Sequence, residues 1–227
     1  MGMAKKVVSE LLAKQYENAW EAKKRGEPVG WATSIFPQEI PESFGLCICY
    51  PENQAAGMGA KKESMANIEV AESAGYSIDL CAYGFYLRGG NEESELNMPM
   101  PDFLLCCNNI CNQVIKWYED LSIELDIPLI MIDTCYNIED EMSQSRIDYL
   151  KAQFEEAIHQ LEIISGKKFD PERFSEVMRT SIENGRLWKE AMSLPCHIPS
   201  PMNGFDLYNY MALAVCARGK KETTEAY

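Results

Sequence analysis

Histidine is nearly absent: the 227 residues hold two, His159 and His197. That scarcity disfavours histidine-rich metal sites and weakens any hydrolytic triad. The nine cysteines include no C-x-x-C pair, which argues against zinc ribbons and fingers. A basic excess is missing too. The formal net charge of −14 speaks against nucleic acid as a partner, and a polyanionic ligand would have to find a local cluster of Lys, Arg or helix N-termini. No apolar run approaches the roughly 18 residues a membrane span needs, so no membrane association is expected. The opening MGMAKKVVSELLAKQYENAW has the pattern of an amphipathic helix rather than of a leader. A cytoplasmic protein is the resulting expectation. Its cysteines are odd in number, several lie inside apolar runs, and they should be reduced or metal-bound rather than a disulfide framework.

What is present is the composition of a globular protein, 46% hydrophobic and 25% charged, long enough for one large domain with an appendage. The pattern predicts a helix over residues 3–25, closed by Gly26, and then an extended piece, Val29 to Thr33. SIFPQEIPESF should be loop because of Pro37 and Pro41. FGLCICYP (44–51) is a buried strand, and 55–74 is helical. SIDLCAYGFYLRGG can be read as loop or helix, and NEESELNMPMP as loop. Phe103 to Cys106 is a strand feeding a helix that starts near Asn108 or Asn109, and Pro128 to Thr134 is a further strand. The alternation predicts an α/β fold, a parallel sheet layered by helices in the Rossmann or flavodoxin manner, over residues 1–142. Residues 143–227 are expected to form a helical segment, with Asp170 as an N-cap before Pro171.

In such sheets ligands gather beyond the carboxyl ends of the strands. Ser34, Glu52, Cys106, Cys107, Cys111 and Cys135 all fall there, and Cys81 could reach the same edge. A thiol at a strand-to-helix join would ionise readily, and the thiolate is the metal-binding form. Unpaired cysteine is equally at home as core filler. Cys106 and Cys107, adjacent on a strand, should point to opposite faces, whereas Cys47 and Cys49 share one. Glu52 can be a general acid or base with raised proton affinity, or a carboxylate complementing a helix N-terminus. Gly57, Gly59, Lys61 and Lys62 suggest a phosphate loop whose pattern is not completed; a solvated helix surface is the simpler reading.

The segments GWATSIFPQEI, CICYPENQAAGMGAKK, DLCAYGFYLRGG and MPMPDFLLCCNNICNQVIKWYEDLSIELDIPLIMIDTCYN, with LPCHIPSPMNGFDLYNYM, closely resemble the 2-hydroxyacyl-CoA dehydratase family, which includes benzoyl-CoA reductase subunits. The resemblance implies a subunit of an iron–sulfur lyase acting on an (R)-2-hydroxyacyl-CoA. Its partners would be an acyl-CoA substrate, a second dehydratase subunit and an iron–sulfur ATPase activator. The activator's electron would convert the thioester to a ketyl radical that expels water. The resemblance matches Cys81 and Cys111, with Cys107 as alternative to the latter, to ligands of a [4Fe–4S] cluster, and Ser34 and Glu52 to substrate-side catalytic positions. It further implies that the two cysteine sulfurs face one cavity below Ser34 and Glu52. The family's third cysteine ligand comes from a C-terminal domain that this chain is expected to lack, so the piece alone is expected to be inactive. A related benzoyl-CoA or double-cubane cluster reductase subunit, and a non-catalytic docking module, are the alternatives. The acyl group is not fixed by the sequence; Arg88 is a candidate for a dicarboxylic one.

Overall fold

The computed structural model describes residues 3–62, 65–85 and 98–227. Four strands, β1 (Val29–Ala32), β2 (Cys47–Cys49), β3 (Phe103–Cys107) and β4 (Leu129–Ile132), form one sheet in the order β2-β1-β3-β4 with every neighbouring pair parallel. The helices are α1 (Met3–Lys24), α2 (Glu39–Ser43), α3 (Pro51–Lys61), α4 (Met65–Ser73), α5 (Ala82–Phe85), α6 (Asn112–Leu125), α7 (Gln144–Ser165), α8 (Pro171–Ser193), α9 (Gly204–Cys216) and α10 (Lys221–Ala226). This is the α/β architecture expected from the alternation of elements. The strand order reverses between β1 and β3, and a flavodoxin-like sheet opens its ligand crevice at that switch point, beyond the carboxyl ends.

Strand alternation divides the core in two. Ala32, Ile48, Phe103, Leu105, Cys107, Ile130 and Ile132 face α2 and α7, where Ile40, Phe44, Ala157 and Leu161 meet them. Val29, Trp31, Cys49, Leu104 and Cys106 face the other way, against Ala19 and Ala22 of α1 and Val114, Trp117, Tyr118 and Leu121 of α6. Cys106 and Cys107 thus enter opposite cores, as their adjacency requires. The last helices return to this framework: α7 packs on β4, α8 on α2, and α9 on α1.

Three local expectations are corrected. Residues 39–43 are helical despite Pro41, because a single short turn asks little of a proline near its start. The helix expected at 55–74 begins at Pro51, a favoured first-turn proline, and α3 closes at Lys62 in the left-handed conformation (φ 63°) before α4 begins. The helix after β3 starts at Asn112 rather than 108 or 109, so β3 runs one residue further, to Cys107, and Cys111 becomes the N-cap. Asp170 does cap α8: its carboxylate accepts from Glu172 N at 2.9 Å and Arg173 N at 3.1 Å. At the sheet's edge, the Gln15 side chain of α1 donates to the Ile48 carbonyl at 2.9 Å and to the Cys216 carbonyl at 3.0 Å, stitching α1, β2 and α9 together.

Gly30, in an inner strand, is fixed by close packing. A Cβ there would lie 2.5 Å from the Phe103 ring and 2.8 Å from Ile48 Cδ1. Both obstacles are buried side chains of flanking strands, so relief requires the core to shift. Gly30→Ala should therefore lower the unfolding free energy by about 1–3 kcal/mol in a denaturant titration; an unchanged midpoint would contradict this packing.

Candidate active site

β1 ends at Ala32, and its ladder with β3 continues one bond further as Thr33 N donates to the Leu105 carbonyl at 3.0 Å. The chain then turns, with Phe36 N donating to the Thr33 carbonyl at 3.0 Å. This turn lifts Ser34 beyond the sheet. On the neighbouring strand, β2 passes through Tyr50 into α3, which places Glu52 in the first helical turn. The two residues meet: Ser34 N donates to Glu52 Oε2 at 2.7 Å, and Ser34 Oγ hydrogen-bonds the same oxygen.

Glu52 Oε1 is buried and has no hydrogen-bond partner among the described residues. Burial raises the proton affinity of this carboxyl above the ordinary carboxylate range, against the opposing pull of the Ser34 amide. The two readings left open by the sequence are therefore both visible. Glu52 does sit at a helix N-terminus, yet desolvation outweighs the donor that would favour its charge. A carboxyl that keeps its proton more readily, with one oxygen held and the other free, can deliver or accept a proton at that free oxygen.

The thiols divide sharply. Burial pushes Cys106 up to about 12, with the Cys107 and Glu52 charges adding to it. Cys107 is likewise pushed up to about 12 by burial, against the influence of Arg218, and its Sγ lies 3.8 Å from the Ile35 carbonyl oxygen. Both remain thiols at neutral pH. The expectation that a helix N-terminus would ionise them fails because α6 begins five residues beyond Cys107, and both side chains lie in strand core. Cys111, at the N-cap of α6, and Cys81, just before α5, are exposed.

α5 presses directly on α6: a Cβ on Gly84 would come within 2.1 Å of the Trp117 indole. Leu80 and Asn112, the chain neighbours of Cys81 and Cys111, line one open groove of about 690 Å³. A second groove, about 220 Å³, lies between α1, β2 and the α9–α10 link. Ser34, Glu52, Cys81 and Cys111 line neither of them, so the expected shared cavity is not found in these grooves. Among the described residues no three His, Cys, Asp or Glu side chains gather as a metal site. The donor chemistry of two accessible thiols suits an iron–sulfur cluster, but their number does not complete one. Arg88 lies outside the described residues. Gly57 and Gly59 lie within α3 and form no phosphate loop.

Other residues at this edge were not singled out by sequence reasoning. Asn108 Oδ1 accepts from Thr134 N at 2.6 Å and Thr134 Oγ1 at 2.7 Å, joining the loops after β3 and β4. Tyr118 of α6 buries its hydroxyl without a partner among the described residues, and that hydroxyl is raised well above its ordinary range by burial and then by the Glu52 charge. Asn108 was signalled by its place after a buried strand; Tyr118 looked like ordinary helix core.

The sign of the Glu52 displacement sets a test. A carboxyl whose folded-state value is raised stabilises the fold fully below its unfolded value and loses that contribution as pH rises through the folded one. Glu52→Gln should unfold at nearly the wild-type midpoint at about pH 4, where both side chains are neutral, and above it at about pH 8. Thermal unfolding across that range checks this; a difference independent of pH would refute the raised value.

Residues 33–227 match the family described as 2-hydroxyglutaryl-CoA dehydratase, D-component. Over 230 residues the chain is 69% identical to the (R)-2-hydroxyisocaproyl-CoA dehydratase alpha subunit of Clostridioides difficile, covering 99% of this chain and 56% of that protein. It is 50% identical over 228 residues to the (R)-phenyllactyl-CoA dehydratase alpha subunit of Clostridium sporogenes, with coverage of 99% and 56%. A benzoyl-CoA reductase subunit of Thauera aromatica is more distant, 29% identical over 234 residues, 96% of this chain and 52% of that one. The chain spans about half the length of the curated relatives it matches. With the match running from Thr33, beside the serine–glutamate pair, to the final residue, this chain belongs to the 2-hydroxyglutaryl-CoA dehydratase, D-component family.

Proposed function

We propose that the chain forms the substrate-facing part of a 2-hydroxyacyl-CoA dehydratase subunit, a lyase that removes water from an (R)-2-hydroxyacyl-CoA. In this reading it works with a second dehydratase subunit and an iron–sulfur ATPase activator. The observation that carries the reading is the Ser34–Glu52 pair beyond the carboxyl ends of β1 and β2, in a chain so similar to dehydratase alpha subunits. Eliminating water from a 2-hydroxyacyl thioester requires a proton for the departing hydroxyl and a base for the hydrogen lost from the neighbouring carbon. Glu52 suits one of these tasks, because burial keeps its proton available nearer neutrality and Oε1 is free to exchange it. Ser34 holds Oε2 in place and can turn its hydroxyl toward a substrate oxygen, since its backbone amide maintains the grip on Glu52. The buried walls of the strands behind them limit water access, which strengthens both interactions.

A [4Fe–4S] cluster, when bound, would supply the single electron and a Lewis-acidic iron. Cys81 and Cys111 would provide two of its thiolates; the further ligand belongs outside the described residues. Cys107 is the weaker alternative, since its buried thiol resists ionisation. The relationship to a benzoyl-CoA reductase keeps a reductase as the second reading.

The test uses the full-length subunit, assembled anaerobically with its partner and activator. Turnover of an (R)-2-hydroxyacyl-CoA to the enoyl-CoA is expected, and reduction of an aromatic acyl-CoA without dehydration would select the reductase instead. Glu52→Gln should lower kcat by about 100-fold or more with iron content unchanged. Cys111→Ser should reduce iron and sulfide per chain; full iron and full activity in that variant would remove Cys111 from the ligand set.

A further inference from the structure

The loop that carries Ser34 is held from two opposite sides. On one side its amide and hydroxyl engage Glu52 of α3. On the other, its carbonyls are gripped by the link between α9 and α10. Arg218 Nη2 donates to the Phe36 carbonyl at 3.0 Å and to the Ser34 carbonyl at 3.3 Å. Gln38 Nε2 donates to the same Ser34 carbonyl at 3.3 Å and also to the Val215 carbonyl. The Gln38 Oε1 in turn accepts from Arg218 N at 3.0 Å. Gln38 is almost wholly buried, and each end of its amide is used. Arg218 is half-buried, makes no ion pair among the described residues, and spends its guanidinium on backbone carbonyls about 180 residues away in sequence.

We propose that Arg218 and Gln38 are positioning residues that set the Ser34–Glu52 contact, so that the geometry of the site is governed by the segment joining α9 to α10. The idea rests on the reading of Ser34 and Glu52 as the reacting pair only for its catalytic meaning; the mechanical coupling stands apart from it. Both bonds come from one guanidinium nitrogen, whose two N–H groups lie in a fixed plane and tie the Ser34 and Phe36 carbonyls together, whereas an ammonium rotates freely at the end of its stem. Bonding to a charged donor is also stronger than bonding to a neutral one, so the grip on the Ser34 carbonyl resists rotation of the turn. Releasing it allows the turn to swing, and the Ser34 amide and hydroxyl then leave Glu52 Oε2.

That consequence has a readout that a merely structural role would not move. Among the described residues, Cys106 of β3, Tyr118 of α6 and Cys216 of α9 are the titratable groups that sense the Glu52 charge, and burial keeps all three protonated well past neutrality. The pH-linked change in stability that Glu52→Gln abolishes therefore reports Glu52 itself. The experiment compares thermal unfolding against pH for the intact chain with Glu52 and with Glu52→Gln, each in the wild-type and Arg218→Met backgrounds. With its amide donor lost, the Glu52 carboxyl should titrate on the order of one pH unit higher in the Arg218→Met background. Arg218→Lys should restore only part of the difference. Gln38→Leu, which keeps the volume and removes the second donor, should shift the titration in the same direction and serves if Arg218→Met does not fold. A titration unmoved in both backgrounds, with stability lowered equally at every pH, would reduce Arg218 and Gln38 to structural ties and overturn the proposal. Because no turnover is measured, that result is independent of whether the assembled protein proves to be a dehydratase.

Discussion

Everything at the sheet's carboxyl edge depends on one desolvated carboxyl. Glu52 belongs to a helix start, where charge is welcome, yet burial among its neighbours removes enough water to raise its proton affinity all the same. Only Ser34 answers it among the described hydrogen bonds, through one oxygen. Its neighbours Tyr118 and Cys106 are buried and carry no charge of their own at neutral pH, so among the described residues the carboxyl finds no cation to fix it as a carboxylate. The site thus surrounds one raised carboxyl with neighbours that keep their protons, in a setting that penalises charge.

The parallel sheet explains why those groups can meet at all. β1 and β2 deliver their following residues to the same edge, so a serine one turn past β1 and a glutamate in the first turn after β2 become neighbours although 18 residues separate them. The strand order reverses between β1 and β3, the place where sheets of this kind open toward a ligand. The same edge receives the β3–α6 loop, tied by Asn108 to the loop after β4, and it ends on the exposed Cys111.

Much of this was legible in the chain itself. Continuous apolar runs such as FLLCC and LIMI mark strands covered on both faces, and their alternation with amphipathic segments gives the layered architecture directly. The rule about carboxyl ends then nominates Ser34 and Glu52 without coordinates. What the sequence concealed were quantities set by tertiary context. Helix starts moved by three or four residues, because Pro51 and Cys111 take first-turn and cap positions that local pattern does not distinguish from loop. That shift changed the chemistry assigned to Cys106 and Cys107, whose burial overrides any benefit from a distant helix terminus. Arg218 could not be nominated at all. One arginine after an apolar helix looks like an ordinary solvated cation, and its carbonyl partners lie at the other end of the chain.

The treatment of the sheet's margin has a consequence for how the protein behaves at high concentration. β2 is three residues long, only Tyr50 separates it from Pro51 of α3, and the Ile48 carbonyl is already occupied by Gln15. An exposed edge normally offers a ladder on which an unrelated strand can grow into an aggregate. Here the ladder is too short to template a recruit, and one of its rungs is taken by a side chain of α1, so this flank of the molecule resists strand addition without needing a guarding charge.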